Sequence, residues 1–268
     1  MQRISFQGER GAYSEDAAIS FFGECETVPL STFYDVIEST ESDKTQYSVI
    51  PVENSLEGSV GESYDLLLST NLSAVGEIYY RVKHCLIGFD KMESIDTVYS
   101  HPQALGQCRK FIQKHKLKTV PSYDTAGSVK MIKEINKKNI SCIASRRASE
   151  IYGVPVIAEG IEDNMNNYTR FLVLSKSKTQ DGNKTSIIFS IKHETGALFG
   201  ILNEFNEYKI NLTKIESRPN KNTPWEYNFY VDFDGNENDP KIVELLKKIN
   251  RQCIFLKILG SYRKAKLP

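Results

Sequence analysis

Few of the 268 residues are of the types that announce a function by themselves. There are five cysteines, Cys25, Cys85, Cys108, Cys142 and Cys253, an odd number with no C-x-x-C pair. A disulfide framework and a zinc-type Cys/His cluster are therefore not indicated. The four histidines, His84, His101, His115 and His193, are scattered, and no two have helical metal-ligand spacing. Gly8-x-x-Gly11 and Gly58-x-x-Gly61 are too sparse for a dinucleotide fingerprint, and neither a Walker sequence nor a G-x-S-x-G elbow is present. The sequence thus implies no metal and no cofactor. No apolar run approaches the roughly 18 residues of a membrane span, and Arg3-Ile4-Ser5-Phe6 enters a strand-like pattern at once. Thirty-four basic and 34 acidic residues leave no excess of either sign. That balance speaks against a nucleic-acid partner and against a disordered polyanion. A soluble cytoplasmic protein with reduced thiols and no membrane partner is expected.

What is present is an alternation of short apolar strands with helical patterns. Ser48 to Val52, Thr97 to Ser100 and Ser141 to Ser145 read as buried strands ending in loops. Helical spacing follows, as in Ala104 to His115 and Ala126 to Ile135. This order predicts an α/β architecture whose ligands collect at strand ends facing helix N-termini. The polar stretch from Ser175 to Lys184 reads as a linker. After it come a strand from Thr185, a helix from Gly196 to Tyr208, strands Asn211 to Arg218 and Trp225 to Asp232, a helix near Asp239 to Ile249, and a strand Ile254 to Ser261. The order βαββαβ is ferredoxin-like.

Polar clusters stand at element ends: Gly11 to Glu15, Pro51 to Ser55, Ser100 to Leu105, Asp124 to Gly127, Ala144-Ser145 and Asn167 to Phe171. Taken singly, Ser14, Ser55, Ser100 and Thr125 suit helix N-caps. Taken together, six such clusters suit a small anion held by hydroxyls and helix N-termini.

In order along the chain, GAYSE, PVENSLEGSV, SHPQALGQC, DTAGS, IASRRASEIYGV and NYTRF resemble the motif series of prephenate dehydratases. Gly196-Ala197-Leu198, Glu216-Ser217-Arg218-Pro219 and Pro224-Trp225-Glu226-Tyr227-Asn228-Phe229 resemble that family's ACT regulatory domain. The resemblance implies a two-lobed catalytic domain like the periplasmic ligand-binding proteins, residues 1–178, with lobe one at 1–77 plus 161–178 and lobe two at 78–160. A ferredoxin-like ACT domain would occupy 185–268. The implied reaction converts prephenate to phenylpyruvate, water and CO2, with aromatisation as its driving force and no cofactor.

Position by position, the resemblance assigns Thr169 as the catalytic donor to the departing hydroxyl. A threonine hydroxyl is a very weak acid, so it would stabilise developing hydroxide by hydrogen bonding or relay a proton from elsewhere. Asn54, Ser55, Ser100, Gln103, Thr125, Ala126, Ser145, Arg170 and Phe171 are implied as substrate contacts. Arg170 could take a substrate carboxylate bidentately or pair with an acid such as Glu53. His101, directly before Pro102, reads as structural. In the tail, Gly196, Ala197, Leu198 and Glu216, Ser217, Arg218, Pro219 are implied to bind phenylalanine, a feedback inhibitor, between paired ACT domains. Self-association as dimer or tetramer follows from the same resemblance. Thr195 stands where the family usually has proline before Gly-Ala-Leu. An arogenate dehydratase, and a non-catalytic sensor on the same fold, are the competing readings. Removal of the chain after Lys178 should spare turnover and abolish inhibition.

With these boundaries the zero net charge divides. Residues 185–268 carry +3, residues 78–160 carry +7, and residues 1–77 with 161–184 carry −10. Opposed charge across a cleft would favour closure over a dianion, partly screened by salt.

Overall fold

The computed structural model describes every residue except 222, 224, 225, 267 and 268, so Pro224 and Trp225 of the tail motif lie outside the described residues. In chain order the elements begin β1 (Arg3–Gln7), α1 (Tyr13–Phe22), β2 (Glu26–Leu30), α2 (Phe33–Glu41), β3 (Tyr47–Asn54), β4 (Gly58–Ser59), α3 (Gly61–Ser69) and β5 (Ser73–Arg81). They continue with β6 (Cys85–Gly88), β7 (Thr97–Ser100), α4 (Pro102–Gln107), α5 (Arg109–Lys114), β8 (Lys118–Pro121), α6 (Thr125–Ile135), β9 (Ile140–Ala144), α7 (Arg146–Tyr152), β10 (Val156–Glu159) and β11 (Tyr168–Ser175). The tail holds β12 (Lys184–Ser190), α8 (Ala197–Glu207), β13 (Leu212–Pro219), β14 (Tyr227–Asp234), α9 (Pro240–Gln252) and β15 (Phe255–Tyr262). Among the described residues, no helix is long and apolar enough to cross a membrane.

Contacts gather residues 1–59 and 78–171 into one compact unit, and residues 60–77 with the described residues of 172–266 into another. The first unit carries two sheets. One has the order β2-β1-β3-β11-β5, with β1 parallel to both β2 and β3. The other has the order β10-β6-β9-β7-β8, with β7 parallel to β8 and β9. The chain leaves the first sheet through β5, builds the whole second sheet, and returns through β11. This double passage is the arrangement of a two-lobed ligand-binding fold. Central strand β9 is buried along its whole length, as its apolar run ISCIA anticipates. Helix α6 covers it with Ala126, Val129 and Ile132, spaced three apart on one face.

The second unit is built on the antiparallel sheet β13-β14-β12-β15. Ile242, Leu245, Leu246 and Ile249 of α9 pack with Ile201 and Phe205 of α8 onto Ile187, Phe189, Val231 and Phe233. This is the βαββαβ order read from the tail. Lys184, placed by its polarity at the end of the linker, is instead the first, buried residue of β12. Its ammonium lies 2.8 Å from the Glu77 carboxylate, both groups almost fully buried. Lys257 donates to the backbone carbonyls of Leu67, Leu68 and Thr70, and the Tyr230 hydroxyl donates to the Tyr64 carbonyl.

Two local expectations fail for physical reasons. The helix from Ala104 to His115 is broken at Cys108, whose φ of −113° and ψ of 23° end α4 and begin α5. The hydroxyls expected as caps are used elsewhere. Ser14 lies inside α1, and Thr125 is already helical because the Asp124 carboxylate caps α6. His101 caps α4 in place of Ser100, in line with its structural reading. Ser55 staples a turn, as described below.

Candidate active site

The β3 end and the β11 start lie side by side, and three hydrogen bonds lock them together. Ser55 Oγ donates to the Asn166 carbonyl (2.7 Å) and accepts from the Tyr168 amide (2.9 Å), while the Ser55 amide donates to the Tyr168 carbonyl (2.8 Å). This staple carries Asn54 to Thr169. Asn54 Oδ1 accepts from the Leu56 and Glu57 amides at 3.0 and 3.1 Å, so its amide can face in one direction only. Asn54 Nδ2 then donates both to Asn167 Oδ1 (2.8 Å) and to Thr169 Oγ1 (3.0 Å). Thr169 is half-buried and receives an N–H on its oxygen, leaving its own proton available to another acceptor.

The amide chain continues to the last residue of α4 and to the residue before β6. Asn167 Nδ2 donates to Gln107 Oε1 (2.8 Å), which also faces His84 Nε2 at 2.9 Å, and His84 Nδ1 lies 2.8 Å from the Tyr13 hydroxyl. Gln107 Nε2 reaches Glu57 at 3.4 Å. Burial holds His84 below its usual pKa, partly offset by the Gln107 hydrogen bond and by Glu162. Gln107, Asn167, His84 and Tyr13 are the residues that the sequence reading did not single out. Gln107 and Asn167 stand within motifs already quoted. His84 directly precedes the apolar run Cys85 to Ile87, and nothing in that local sequence marks it.

The other expected contacts are placed as follows. Arg170, next along β11, is buried at 4% exposure, and Phe171 packs into the core at 2%. Gln103 is exposed on α4. Ser100 is fully buried and donates to the Ile143 carbonyl at 2.7 Å. Thr125 and Ala126 open α6, where the Ala126 amide is taken by Asp124 at 2.8 Å. Beside that turn lies a recess of about 350 Å³ lined by Gly8, Ser31, Tyr123 and Asp124 among others.

Ser145 ties the two halves of this unit together. Its hydroxyl donates to the Gly11 carbonyl (2.6 Å) and accepts from the Ala148 amide (2.9 Å). The approach is close enough to require glycine at position 11. A Cβ there would lie 2.6 Å from Ala148 Cα, and φ is +89°. The same contact brings Arg147 of α7 to 3.5 Å from both Glu15 and Asp16 of α1, so part of the opposed charge of the two halves meets here. Burial raises the Asp16 pKa to about 6 against the lowering effects of Tyr80 and Arg147.

Because the folded pKa of Asp16 lies above its unfolded value, its contribution to stability is fully present below about pH 4. It is lost as the pH rises through about 6. Asp16→Asn should therefore flatten the pH dependence of unfolding. The expected difference is on the order of 2 kcal/mol in favour of the variant at pH 8, vanishing near pH 4. Urea unfolding at the two pH values measures it, and a wild-type chain that gains stability over this window relative to the variant would contradict it.

In the second unit, Gly196 caps α8 at a φ of +86°. Ala197 and Leu198 line a cavity of about 140 Å³ with Ile191, Glu194, Tyr227 and Phe229. Glu216 to Pro219 form the end of β13, with Ser217 opposite Phe229. They do not line this cavity. Arg218 turns instead to Asp65 (3.7 Å) and covers Gly61, where a Cβ would meet its guanidinium at 2.6 Å.

Comparison with known proteins bears on both units. The prephenate dehydratase family model matches residues 4–179, and the ACT domain model matches residues 185–251. The prephenate dehydratase of Methanocaldococcus jannaschii is 41% identical over 263 residues, spanning 94% of this chain and 95% of that protein. The chloroplastic arogenate dehydratase/prephenate dehydratase 2 of Arabidopsis thaliana is 40% identical over 275 residues, or 97% and 72% of the two chains. Among solved structures, a protein described as a quorum quenching acylase, GqqA, superposes with a TM-score of 0.92 at 29% identity, covering 98% of each chain. Prephenate dehydratase from Arthrobacter aurescens in complex with L-Phe superposes with a TM-score of 0.89 at 26% identity, covering 98% of this chain and 90% of that one. The chain belongs to the prephenate dehydratase family and carries a C-terminal ACT domain.

Proposed function

We propose that the protein is a lyase that converts prephenate to phenylpyruvate. The observation that carries this reading is the Thr169 hydroxyl, held at its oxygen by Asn54 Nδ2 with its proton free to be given. In the proposed step the bond from ring carbon C1 to its carboxylate breaks and releases CO2. The electron pair enters the ring, and the C4 hydroxyl leaves with one proton as water. Prephenate dianion and one proton thus give phenylpyruvate, CO2 and water. Thr169 donates a hydrogen bond to the departing oxygen, and the Asn54 N–H polarises that donor. The amides behind Asn54 do not titrate, so they orient the donor and relay no proton. The proton that balances the reaction comes from solvent.

Gln103, Thr125 and Arg170 are proposed to surround the substrate, with Arg170 taking a carboxylate. Asn54, Ser55, Ser100, Ala126, Ser145 and Phe171, whose polar groups are engaged or whose side chains lie in the core, are proposed to hold the walls of that site. Residues 1–178 form the proposed catalytic domain, divided at 78 and 160, and residues 185–268 the regulatory one. The complex of the Arthrobacter aurescens enzyme with L-Phe supports L-phenylalanine as the regulator; Gly196 to Leu198 and Glu216 to Pro219 are proposed as its contacts in a self-associated ACT pair. Five free cysteines support a cytoplasmic setting.

Arogenate, with an amine where prephenate has a keto group, is the second substrate to consider, because relatives about 40% identical carry both names. The acylase likeness supports no second activity. Both ring nitrogens of His84 face Tyr13 and Gln107, and burial pushes the thiols of Cys25, Cys85, Cys108, Cys142 and Cys253 up. Parallel assays with prephenate and arogenate, each with and without L-phenylalanine, test the reading. Turnover of prephenate that L-phenylalanine suppresses is expected. Preference for arogenate would reassign the substrate, and indifference to L-phenylalanine would remove the regulatory assignment.

A further inference from the structure

The Tyr13–His84 pair at the far end of the amide chain has a use that the chemistry above does not absorb. Each hydrogen bond in the chain has a direction, and the directions can be followed from a fixed end. Two backbone amides fix Asn54, so Nδ2 is the group presented to Asn167. Asn167 must answer with Oδ1, which turns its Nδ2 toward Gln107. Gln107 must answer with Oε1, and its Nε2 faces the Glu57 carboxylate. The one oxygen Gln107 Oε1 then faces both Asn167 Nδ2 and His84 Nε2, so His84 has to carry its proton on Nε2. His84 Nδ1 is left as an acceptor, and the Tyr13 hydroxyl, 2.8 Å from it and 3.0 Å from the Lys83 carbonyl, has one proton to share between the two.

The opposite tautomer sets two lone pairs, Nε2 and Gln107 Oε1, against each other inside the protein. Turning Gln107 or Asn167 to relieve that contact sets N–H against N–H one link further along, and Asn54 cannot turn. His84 is therefore what keeps Gln107 and Asn167 turned as they are, with Asn167 as the second partner of the amide that faces Thr169.

We propose that His84, held in its Nε2–H form by Gln107 Oε1, is a positioning residue for the Thr169 hydroxyl, acting through Gln107, Asn167 and Asn54. This rests on the reading of Thr169 as the donor to the departing oxygen. His84 itself touches no substrate.

Three measurements test it. Nitrogen-15 chemical shifts of the His84 ring should show the neutral Nε2–H form at pH 7.5, independently of any activity. An Nδ1–H form would overturn the proposal. Second, His84→Leu and Tyr13→Phe should lower kcat for prephenate, by roughly 10- to 100-fold for His84→Leu and less for Tyr13→Phe, with KM moved far less. His84→Gln places an amide N–H near the former Nε2 and should recover part of the loss. Third, in a Thr169→Ala background the His84→Gln and Tyr13→Phe substitutions should cost almost nothing further, because no hydroxyl remains to be positioned. Equal losses with and without Thr169, or a change in KM alone, would reduce His84 to a packing residue. A wild-type chain without prephenate turnover would instead remove the underlying reading, a failure visible before any variant is made.

Discussion

Thr169→Ala should lower kcat for prephenate by about 10²- to 10³-fold while leaving KM within a small factor. That is the loss typical of removing one preorganised donor to a developing oxyanion, about 3–4 kcal/mol. Thr169 sits at the edge of β11 with its oxygen fixed by Asn54 Nδ2, so the donated proton is aimed before substrate arrives. Nothing else need move in the variant, because Asn54 keeps Leu56, Glu57 and Asn167 as partners. Thr169→Ser retains the hydroxyl but loses the β-branch that restricts χ1, and should keep turnover within about tenfold of the original. Equal activity of the alanine variant would take Thr169 out of the chemistry. A pure KM effect would move it to substrate binding.

The second large effect concerns stability. Lys184→Ala removes the ammonium that lies 2.8 Å from the fully buried Glu77 carboxylate. Breaking a buried pair from one side typically costs about 3–5 kcal/mol, since the remaining charge keeps its desolvation penalty. Glu77 also accepts from the Ala265 amide, so its loss would release the end of the chain after β15 as well. The expected result is a urea midpoint that falls with little change in slope. The double variant Glu77→Leu with Lys184→Met should be far closer to the original than either single change. A Lys184→Ala chain as stable as the parent would contradict this account of the second unit. Removal of the chain after Lys178 should lower stability in the same way. Truncation there takes Lys184 from Glu77, Arg218 from Asp65, and Lys257 from the carbonyls of Leu67 and Leu68.

The sequence made the alternation of strands and helices legible because that information is local. Val49 and Ile50, Cys142 and Ile143, and the spacing of Ala126, Val129 and Ile132 each declare an element within a few residues. The βαββαβ tail was legible for the same reason. The caps were not, because a serine near a helix start has other partners to choose from. Ser100 went to Ile143 and Ser55 to Asn166, across separations of 43 and 111 residues. The site was half legible. Motif resemblance found Asn54 and Thr169, whereas the residues joining them to His84 are assembled across separations of 113, 60 and 23 residues. No periodicity encodes such a chain. His84 looked like one scattered histidine because its meaning lies in which ring nitrogen faces which amide.

The zero net charge acquires a concrete form at one place. Arg147 meets Glu15 and Asp16 where α7 packs against α1. Part of the opposed charge is thus already used within the folded unit and is unavailable for attracting substrate.

The most direct test of the account is product formation by the purified, desalted protein given prephenate alone at neutral pH. The account predicts one phenylpyruvate and one CO2 for each prephenate consumed, with Thr169→Ala nearly silent under the same conditions. Prephenate left unchanged by the wild-type chain, or consumed at an equal rate by Thr169→Ala, would contradict it.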